Sequence, residues 1–166
     1  MGKSEISILE VGSGAGKYFT TLKGKNVIHF DISRNAAHLE SVGDVEKLPF
    51  RDNSFDVIYV AQVLEHCGCP LKVLEELRRV SKKKVIIKVP NIGFYKYIDQ
   101  NIDHLYSWNE ATLETLLKKV FKDVRISTNF YVSKGNNKIL NMLRSFKITV
   151  LKIIIGLNNV IVAECD

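Results

Sequence analysis

The 166-residue sequence has few cysteines and no long uninterrupted apolar run. Its three cysteines include one C-x-C pair, Cys67 and Cys69, which favours neither a disulfide framework nor a zinc cluster. No metal site is therefore predicted. The most apolar stretch, 148–162, contains Lys152 and is shorter than the roughly 20 residues of a membrane span. Charged residues near the amino terminus also predict no signal peptide, so the expected location is a reducing cytoplasm.

The chain also lacks a basic arm and the length for a second large domain. Its net charge is +6, from 24 basic and 18 acidic residues. The excess is spread evenly, with 14 basic and 11 acidic residues in 1–94 and 10 and 7 in 95–166. This predicts a mild attraction for anions, and nucleic acid is not the favoured partner. With 46% hydrophobic and 25% charged residues, one globular domain over 1–166 is expected.

Short β-branched runs alternate with helical patterns along the sequence. Strands are predicted at 6–11, 26–30, 55–61, 85–89, 124–132 and 160–163. Helices are predicted after the first glycine cluster to about residue 22, briefly from Ser33, over 70–80, directly after Ser107, and over about 137–156. The alternation predicts an α/β fold with a doubly wound, mostly parallel sheet and helices on both faces.

Local signals refine these boundaries. Ser107 and Glu110 have the spacing of a capping box at a helix start. The three lysines of 82–84 are interpreted as the solvated end of the preceding helix, where they would complement its dipole. Asn158 and Asn159 are predicted to turn the chain before the last strand.

A glycine-rich loop, Glu10–Lys17, follows the first predicted strand and reads EVGSGAGK. A Walker phosphate loop needs four residues between its glycines and a Ser or Thr after the lysine, whereas this loop has three and Tyr18. A dinucleotide fingerprint needs a small residue at position 17, where Lys17 stands. Both of these loop chemistries are therefore excluded.

The pattern that remains is E-x-G-x-G-x-G, with an acidic residue, Asp31, ending the second predicted strand. Gly43–Phe50 and then Asp52–Ile58 supply an acidic loop before a buried strand. In these motifs, which cover residues 5–90, the sequence resembles the class I S-adenosylmethionine-dependent methyltransferases, in the type 11 group. The resemblance implies a seven-stranded sheet with its last strand antiparallel, and S-adenosylmethionine as the cofactor.

The resemblance also implies which residues bind that cofactor. Glu10 would orient the glycine loop, Asp31 would bind the ribose, and Asp44 would accept from the adenine amino group. The residues implied for the methionine end are Glu10, Gly12, Ser13, Gly14, Ala61 and Gln62. Those implied for the ribose and adenine are Asp31, Ile32, Asp44 and Val45.

Simpler interpretations stay open for several of these residues. The glycines are also compatible with a tight strand–helix turn of no chemical meaning. Ile32 and Val45 are compatible with ordinary core positions, and Asp44 with a capped turn.

His66 is the candidate general base, because it follows the strand predicted over 55–61, at the edge where open α/β sheets bind ligands. The alternative is a histidine that closes the loop before Pro70, and Glu65 is a weaker candidate base. The strand exit lacks the Asn/Asp-Pro-Pro-Tyr/Phe motif of enzymes that methylate exocyclic base amines. A small-molecule acceptor is therefore favoured over RNA.

The remaining expectations concern the second half of the chain. Residues 1–90 are assigned to the cofactor half and 91–166 to the acceptor half. An aromatic-rich connection over 90–97 and 103–108 is expected to form a lid or acceptor wall, or to pack on the sheet edge. The apolar segment 139–157 is compatible with the core, with contact to a homodimer mate or partner subunit, or with a membrane surface. The even distribution of charge favours the first two. A non-catalytic subunit that binds the cofactor is the alternative from another functional class.

Overall fold

The computed structural model describes residues 6–14, 26–33, 39–91, 103–131 and 158–166, with the backbone alone at 129–131 and 158–160. The predicted helices after the glycine loop, after Ser33 and over 137–156 lie outside these residues. Any contact of segment 139–157 with a partner also lies outside them.

Seven strands form one sheet in the order β3-β2-β1-β4-β5-β7-β6. The first five strands are parallel, and β7 runs antiparallel between β5 and β6. This confirms the predicted doubly wound sheet with an antiparallel last strand. The strands are β1 Ser7–Val11, β2 Asn26–Asp31, β3 Ser41–Val42, β4 Phe55–Ala61, β5 Ser81–Pro90, β6 Val124–Tyr131 and β7 Asn158–Cys165.

The core lies around the central strands β1, β4 and β5. Four consecutive residues of β4, from Ile58 to Ala61, are all buried. Because successive side chains of a strand point to opposite faces, both faces of β4 are covered. The near-continuous run of bulky residues in this strand reflects that double burial.

Two α-helices are described, α1 over Pro70–Val80 and α2 over Glu110–Leu117. Pro70 is the first residue of α1, as predicted, and the helix buries Val73, Leu74 and Leu77 on one side. The predicted capping box at the start of α2 is wrong by two residues. Asn109, not Ser107, caps the helix by accepting from the Thr112 amide at 2.9 Å, and Thr112 Oγ1 accepts from the Asn109 amide in return.

The reason for this shift lies just before the helix. Trp108 is buried and forms a parallel bridge with Asn91. The bridge holds the chain extended through Trp108, so the first helical turn begins only after Asn109.

Two other boundaries also differ from the predicted ones. The lysines of 82–84 are strand residues, since β5 begins at Ser81 directly after α1. Two of these lysines form ion pairs with carboxylates on neighbouring strands. Lys83 Nζ lies 2.8 Å from Asp56, and Lys84 Nζ lies 2.9 Å from Glu164. Asn158 and Asn159 do not turn the chain, because their backbones pair with β6 as the start of β7.

Candidate functional site

A cavity of about 450 Å³ opens where the strand order reverses, beyond the carboxyl ends of β1, β2 and β4. Ligands of open α/β sheets bind at this switch point, and the volume is in the range of small-molecule sites. Its lining consists of Val11, Gly12, Gly14, Phe30, Asp31, Ile32, Gly43, Asp44, Val45, Glu46, Gln62, Val63, His66, Cys67 and Gly68.

Gly12 brings the loop after β1 close to the loop after β4. Its amide donates to the Phe30 carbonyl at 2.9 Å, and its φ of +75° lies in the left-handed region. A Cβ atom at this position would lie 2.2 Å from Cγ2 of Val63. Both the dihedral angle and the close approach therefore require glycine here. Gly14 also has a positive φ, +50°, but a Cβ there would meet no atom within 4 Å.

Asp31 ties the glycine loop to the end of β2. Its Oδ2 accepts from the Gly14 amide at 2.7 Å, and its Oδ1 accepts from the Ser33 amide at 2.8 Å. Each carboxylate oxygen has a further lone pair, so both can still accept from a vicinal diol. Asp31 thus fixes the loop and lies in the cavity wall. It is the residue that the resemblance predicts to bind the ribose.

Three of the predicted cofactor residues lie behind the cavity wall. Glu10 is buried, with an oxygen 2.6 Å from His29 Nδ1, and it accepts from Ser13 Oγ at 3.3 Å. These contacts place Glu10 under the glycine loop. Ser13 and Ala61 are likewise buried and do not belong to the cavity lining.

Asp44 both lines the cavity and caps a turn. Its Oδ1 accepts from the Glu46 amide at 2.8 Å, at the start of a short 3-10 turn over Val45–Lys47. Ile32 is 73% exposed beside the cavity, so it is not a core residue. Such an exposed apolar side chain is suited to packing on a flat ring.

Arg79 of α1 stabilises the loop that follows Asp44 through hydrogen bonds. Its guanidinium donates to the carbonyls of Leu48 and Phe50, at 3.1 and 2.8 Å, and to the carboxylates of Glu76 and Asp52. Hydrogen bonds from Arg79 hold the pKa of Glu76 below its ordinary value, so the pair stays ionised. This network was not predicted, since it joins residues nearly 30 apart in sequence.

Cys67 lines the cavity, but its thiol is expected to be unreactive. Burial raises the pKa of Cys67 to about 12, and Sγ donates to the Leu64 carbonyl at 3.3 Å. A thiol at such a pKa is almost wholly protonated at neutral pH, which makes it a poor nucleophile.

His66 faces the cavity from the loop after β4. Its Nδ1 lies 3.0 Å from the Asp103 carbonyl oxygen, and its ring lies 4.7 Å from the ring of His104. A carbonyl oxygen only accepts, so Nδ1 carries a proton, and in the neutral ring the lone pair is on Nε2. That tautomer can accept a proton or bind a cation through Nε2.

Residues 103–106 are held against the loop that follows β4. The amide of Leu105 donates to the Glu65 carbonyl at 2.7 Å, and Tyr106 Oη donates to the Gly68 carbonyl at 2.9 Å. The second half of the predicted aromatic connection therefore forms a wall beside His66. Residues 92–102 of that connection lie outside the described residues.

The cavity and its glycine loop agree with comparisons to known proteins. Residues 9–88, just under half of the chain, match the family model described as a methyltransferase domain. These residues, which run from β1 to β5, are part of a class I methyltransferase domain. The family predicted from the sequence is confirmed, and with it S-adenosylmethionine as the cofactor of that family.

Relatives of the methyltransferase domain differ in length and in what they methylate. An uncharacterized protein of Methanocaldococcus jannaschii is 35% identical over 97 residues, which cover 54% of this chain and 43% of that protein. A malonyl-acyl-carrier-protein O-methyltransferase of Buchnera aphidicola is 28% identical over 86% of this chain and 64% of that enzyme. The chain thus spans less than half the length of the first curated relatives that it matches.

A solved structure shows the same fold with cofactor bound. Phosphoethanolamine N-methyltransferase 2 of Haemonchus contortus, in complex with S-adenosyl-L-methionine, superposes with a TM-score of 0.67 and 17% identity. The superposition covers 99% of this chain and 49% of that enzyme.

The described residues of the methyltransferase domain fit the cofactor. Gly14 has open space beside its Cα, Asp31 offers carboxylate oxygens at the end of β2, and Ile32 presents an exposed apolar surface. Among the described helices, none has the length and apolar character needed to cross a membrane.

Proposed function

We propose that this protein transfers a methyl group from S-adenosylmethionine to a small-molecule acceptor by in-line displacement. The supporting observation is one cavity that joins two kinds of wall. On one side lie the glycine loop, Asp31 and Asp44, and on the other lies His66, whose Nε2 has the lone pair in the neutral tautomer with Nδ1 protonated. A donor bound along the first wall would present its methyl group toward the second.

The cofactor, when bound, supplies a methyl group already activated on a sulfonium. The chain then has to hold donor and acceptor in line, which contributes up to roughly 7–11 kcal/mol in favourable cases. The acceptor atom bonds to the methyl carbon as the carbon–sulfur bond breaks, and the electron pair stays on sulfur. An acceptor that carries a proton must also lose it, and His66 is positioned to take it.

The charges of the cavity favour a small molecule over RNA. None of its described lining residues is a lysine or an arginine, whereas Asp31, Asp44 and Glu46 each contribute a carboxylate. Nucleic-acid binding needs basic side chains that neutralise phosphates. A neutral or cationic acceptor, or one with a single hydroxyl to be methylated, suits this lining better.

Calorimetry with S-adenosylmethionine tests the cofactor half of the proposal. Asp31→Ala should weaken binding about a hundredfold or more, because charge-assisted hydrogen bonds contribute about 1.5–3 kcal/mol each. Glu75→Ala, on the exposed side of α1, removes the same charge away from the cavity and should leave binding unchanged. Preferential binding of NAD by the wild type would refute the assignment of the glycine loop.

A screen with methyl-labelled cofactor tests the acceptor half. Pools of small metabolites, acyl carriers and RNA should give label transfer to small molecules only. Transfer to RNA would overturn the small-molecule proposal. Tight cofactor binding without transfer to any pool would instead favour a non-catalytic cofactor-binding subunit.

A further inference from the structure

Three side chains with metal-binding atoms meet at the rim of the cavity. An oxygen of Glu65, a nitrogen of His66 and a nitrogen of His104 all lie within 4.8 Å of one another. His66 and His104 are 38 residues apart in sequence, so no spacing motif indicates this cluster. Only the folded chain brings the three groups together.

The cluster is held by contacts that do not involve the side chains of Glu65, His66 or His104. The Glu65 carbonyl accepts from the amides of Leu105 and Tyr106, at 2.7 and 3.3 Å, and Tyr106 Oη donates to Gly68. These bonds fix residues 103–106 against 65–68. The backbone positions of both histidines are thus set in advance, which reduces the entropy cost of binding an ion.

The environment of each group suits a ligand. Glu65 is fully buried, and a buried carboxylate is stabilised by a nearby cation or metal ion. His66 donates Nδ1–H to the Asp103 carbonyl, which is the outer contact typical of metal-binding histidines. His104 is half-buried, and its ring meets the His66 ring at 75°, so the two imidazoles are not stacked face to face.

The ligand set defines the class of metal. Two imidazoles and one carboxylate suit zinc, iron or cobalt, whereas magnesium prefers oxygen ligands alone. Bonds of about 2.0–2.2 Å around a tetrahedral ion separate the ligand atoms by roughly 3.4 Å. The ligand atoms, which lie within 4.8 Å of one another, would have to approach by up to roughly 1.4 Å to reach that spacing.

We infer that Glu65, His66 and His104 form a binding site for one divalent first-row transition metal ion. Three protein ligands leave at least one coordination position open, and His66 places the ion beside the cavity. The open position would take an oxygen of the methyl acceptor. A hydroxyl bound there would release its proton to solvent more readily, so the metal would replace His66 as the source of activation.

The role in methyl transfer rests on the proposed function, but metal binding does not. Tag-free protein, stripped with a chelator, should bind one equivalent of Zn²⁺ by calorimetry and should bind no Mg²⁺. Co²⁺ should give d–d absorption bands without a thiolate charge-transfer band, which distinguishes imidazole and carboxylate ligands from Cys67 and Cys69.

Variants of the cluster test the assignment of ligands. His104→Ala and His66→Ala should each weaken Zn²⁺ binding at least about tenfold, while circular dichroism confirms that both fold. Cys69→Ser, on an exposed cysteine next to the cluster, should bind Zn²⁺ as the wild type does. Absence of stoichiometric binding, an unaffected His104→Ala, or loss of binding in Cys69→Ser would each overturn the inference.

Parallel titration with S-adenosylmethionine separates the two proposals. Stripped protein should bind the cofactor as tightly as the metal-loaded protein, and its methyl transfer should fall and recover when Zn²⁺ or Co²⁺ is restored. Metal binding without cofactor binding would refute the proposed function alone. Cofactor binding and full turnover in the presence of chelator would refute the metal's role alone.

Discussion

The two walls of the cavity are built in different ways. The cofactor wall, residues 11–14, 31–32 and 43–46, is arranged by hydrogen bonds between backbone amides and nearby carboxylates. The acceptor wall, residues 62–68 with 103–106, is assembled from two segments whose contacts span 37 residues or more. The cofactor wall therefore follows from short motifs, and the acceptor wall follows from tertiary packing.

This difference predicts that the acceptor wall controls rate while the cofactor wall controls affinity. The largest expected effect is that of His66→Ala on methyl transfer to the acceptor found by screening. Turnover should fall about 10²–10⁴-fold, because the variant removes a proton acceptor or metal ligand. The dissociation constant for S-adenosylmethionine should change less than about threefold. Full turnover in His66→Ala would leave the side chain only a role in closing the loop.

Substitution of the glycines of the cofactor wall should have the next largest effect, a loss of stability. Gly12 and Gly14 can be compared directly, because both have a positive φ and only Gly12 lies close to Val63. Gly12→Ala combines a strained φ, about 1–2 kcal/mol, with a clash against Val63, about 1–3 kcal/mol. Gly14→Ala has the strained φ alone. Thermal unfolding should therefore show a larger loss of stability for Gly12→Ala, by about 1–3 kcal/mol.

A second substitution checks that the clash is the cause. Adding Val63→Ala to Gly12→Ala removes the atom that the new Cβ would meet, so part of the lost stability should return. Equal destabilisation by the two single glycine substitutions would contradict the close approach of the two loops.

Arg79 supports the cofactor wall, and Arg79→Ala should lower the free energy of unfolding by about 1–3 kcal/mol. Its side chain is about one-third exposed, so solvent screens the ion pairs, and the carbonyls of Leu48 and Phe50 lose donors. Denaturant unfolding measures the change. Arg78→Ala removes the same charge from an exposed neighbour and should cost less than about 0.5 kcal/mol. Equal losses of stability in Arg79→Ala and Arg78→Ala would contradict a stabilising role for the Arg79 hydrogen bonds.

The smallest effect is expected from the cysteines. In native protein, iodoacetamide should label Cys69 alone, because Cys69 is exposed while burial raises the pKa of Cys67 and of Cys165 to about 12. Mass spectrometry should find one adduct in native protein and three after unfolding. The labelled protein should still bind S-adenosylmethionine. Rapid labelling of Cys67 would show that the acceptor wall opens to solvent.

Most of the fold can be predicted from the sequence, because buried strands and helices have characteristic spacings of apolar residues. The bulky run of β4 and the threefold apolar spacing of α1 both follow from burial. The lysines of 82–84 were misassigned because a polar run after a helix gives no periodic signal. Their partners, Asp56 and Glu164, lie on strands that are distant in sequence.

The same reasoning explains what was predicted of the candidate site. Asp31 and the glycine loop were found because their chemistry lies within short motifs, and the structure places both at the cavity. The contacts of His104 with the region of His66 have no local signature, so the sequence could not indicate them.

The position of β7 has a consequence for how the chain folds. It lies between β5 and β6, and its pairing with β5 joins Val85 to Cys165, 80 residues further along the chain. Until β7 arrives, β5 has an unpaired edge and β6 has no neighbour in the sheet. Contacts so distant in sequence close slowly, and an open edge invites pairing with other chains. Between synthesis of β5 and docking of β7, this edge is therefore open to pairing with other chains.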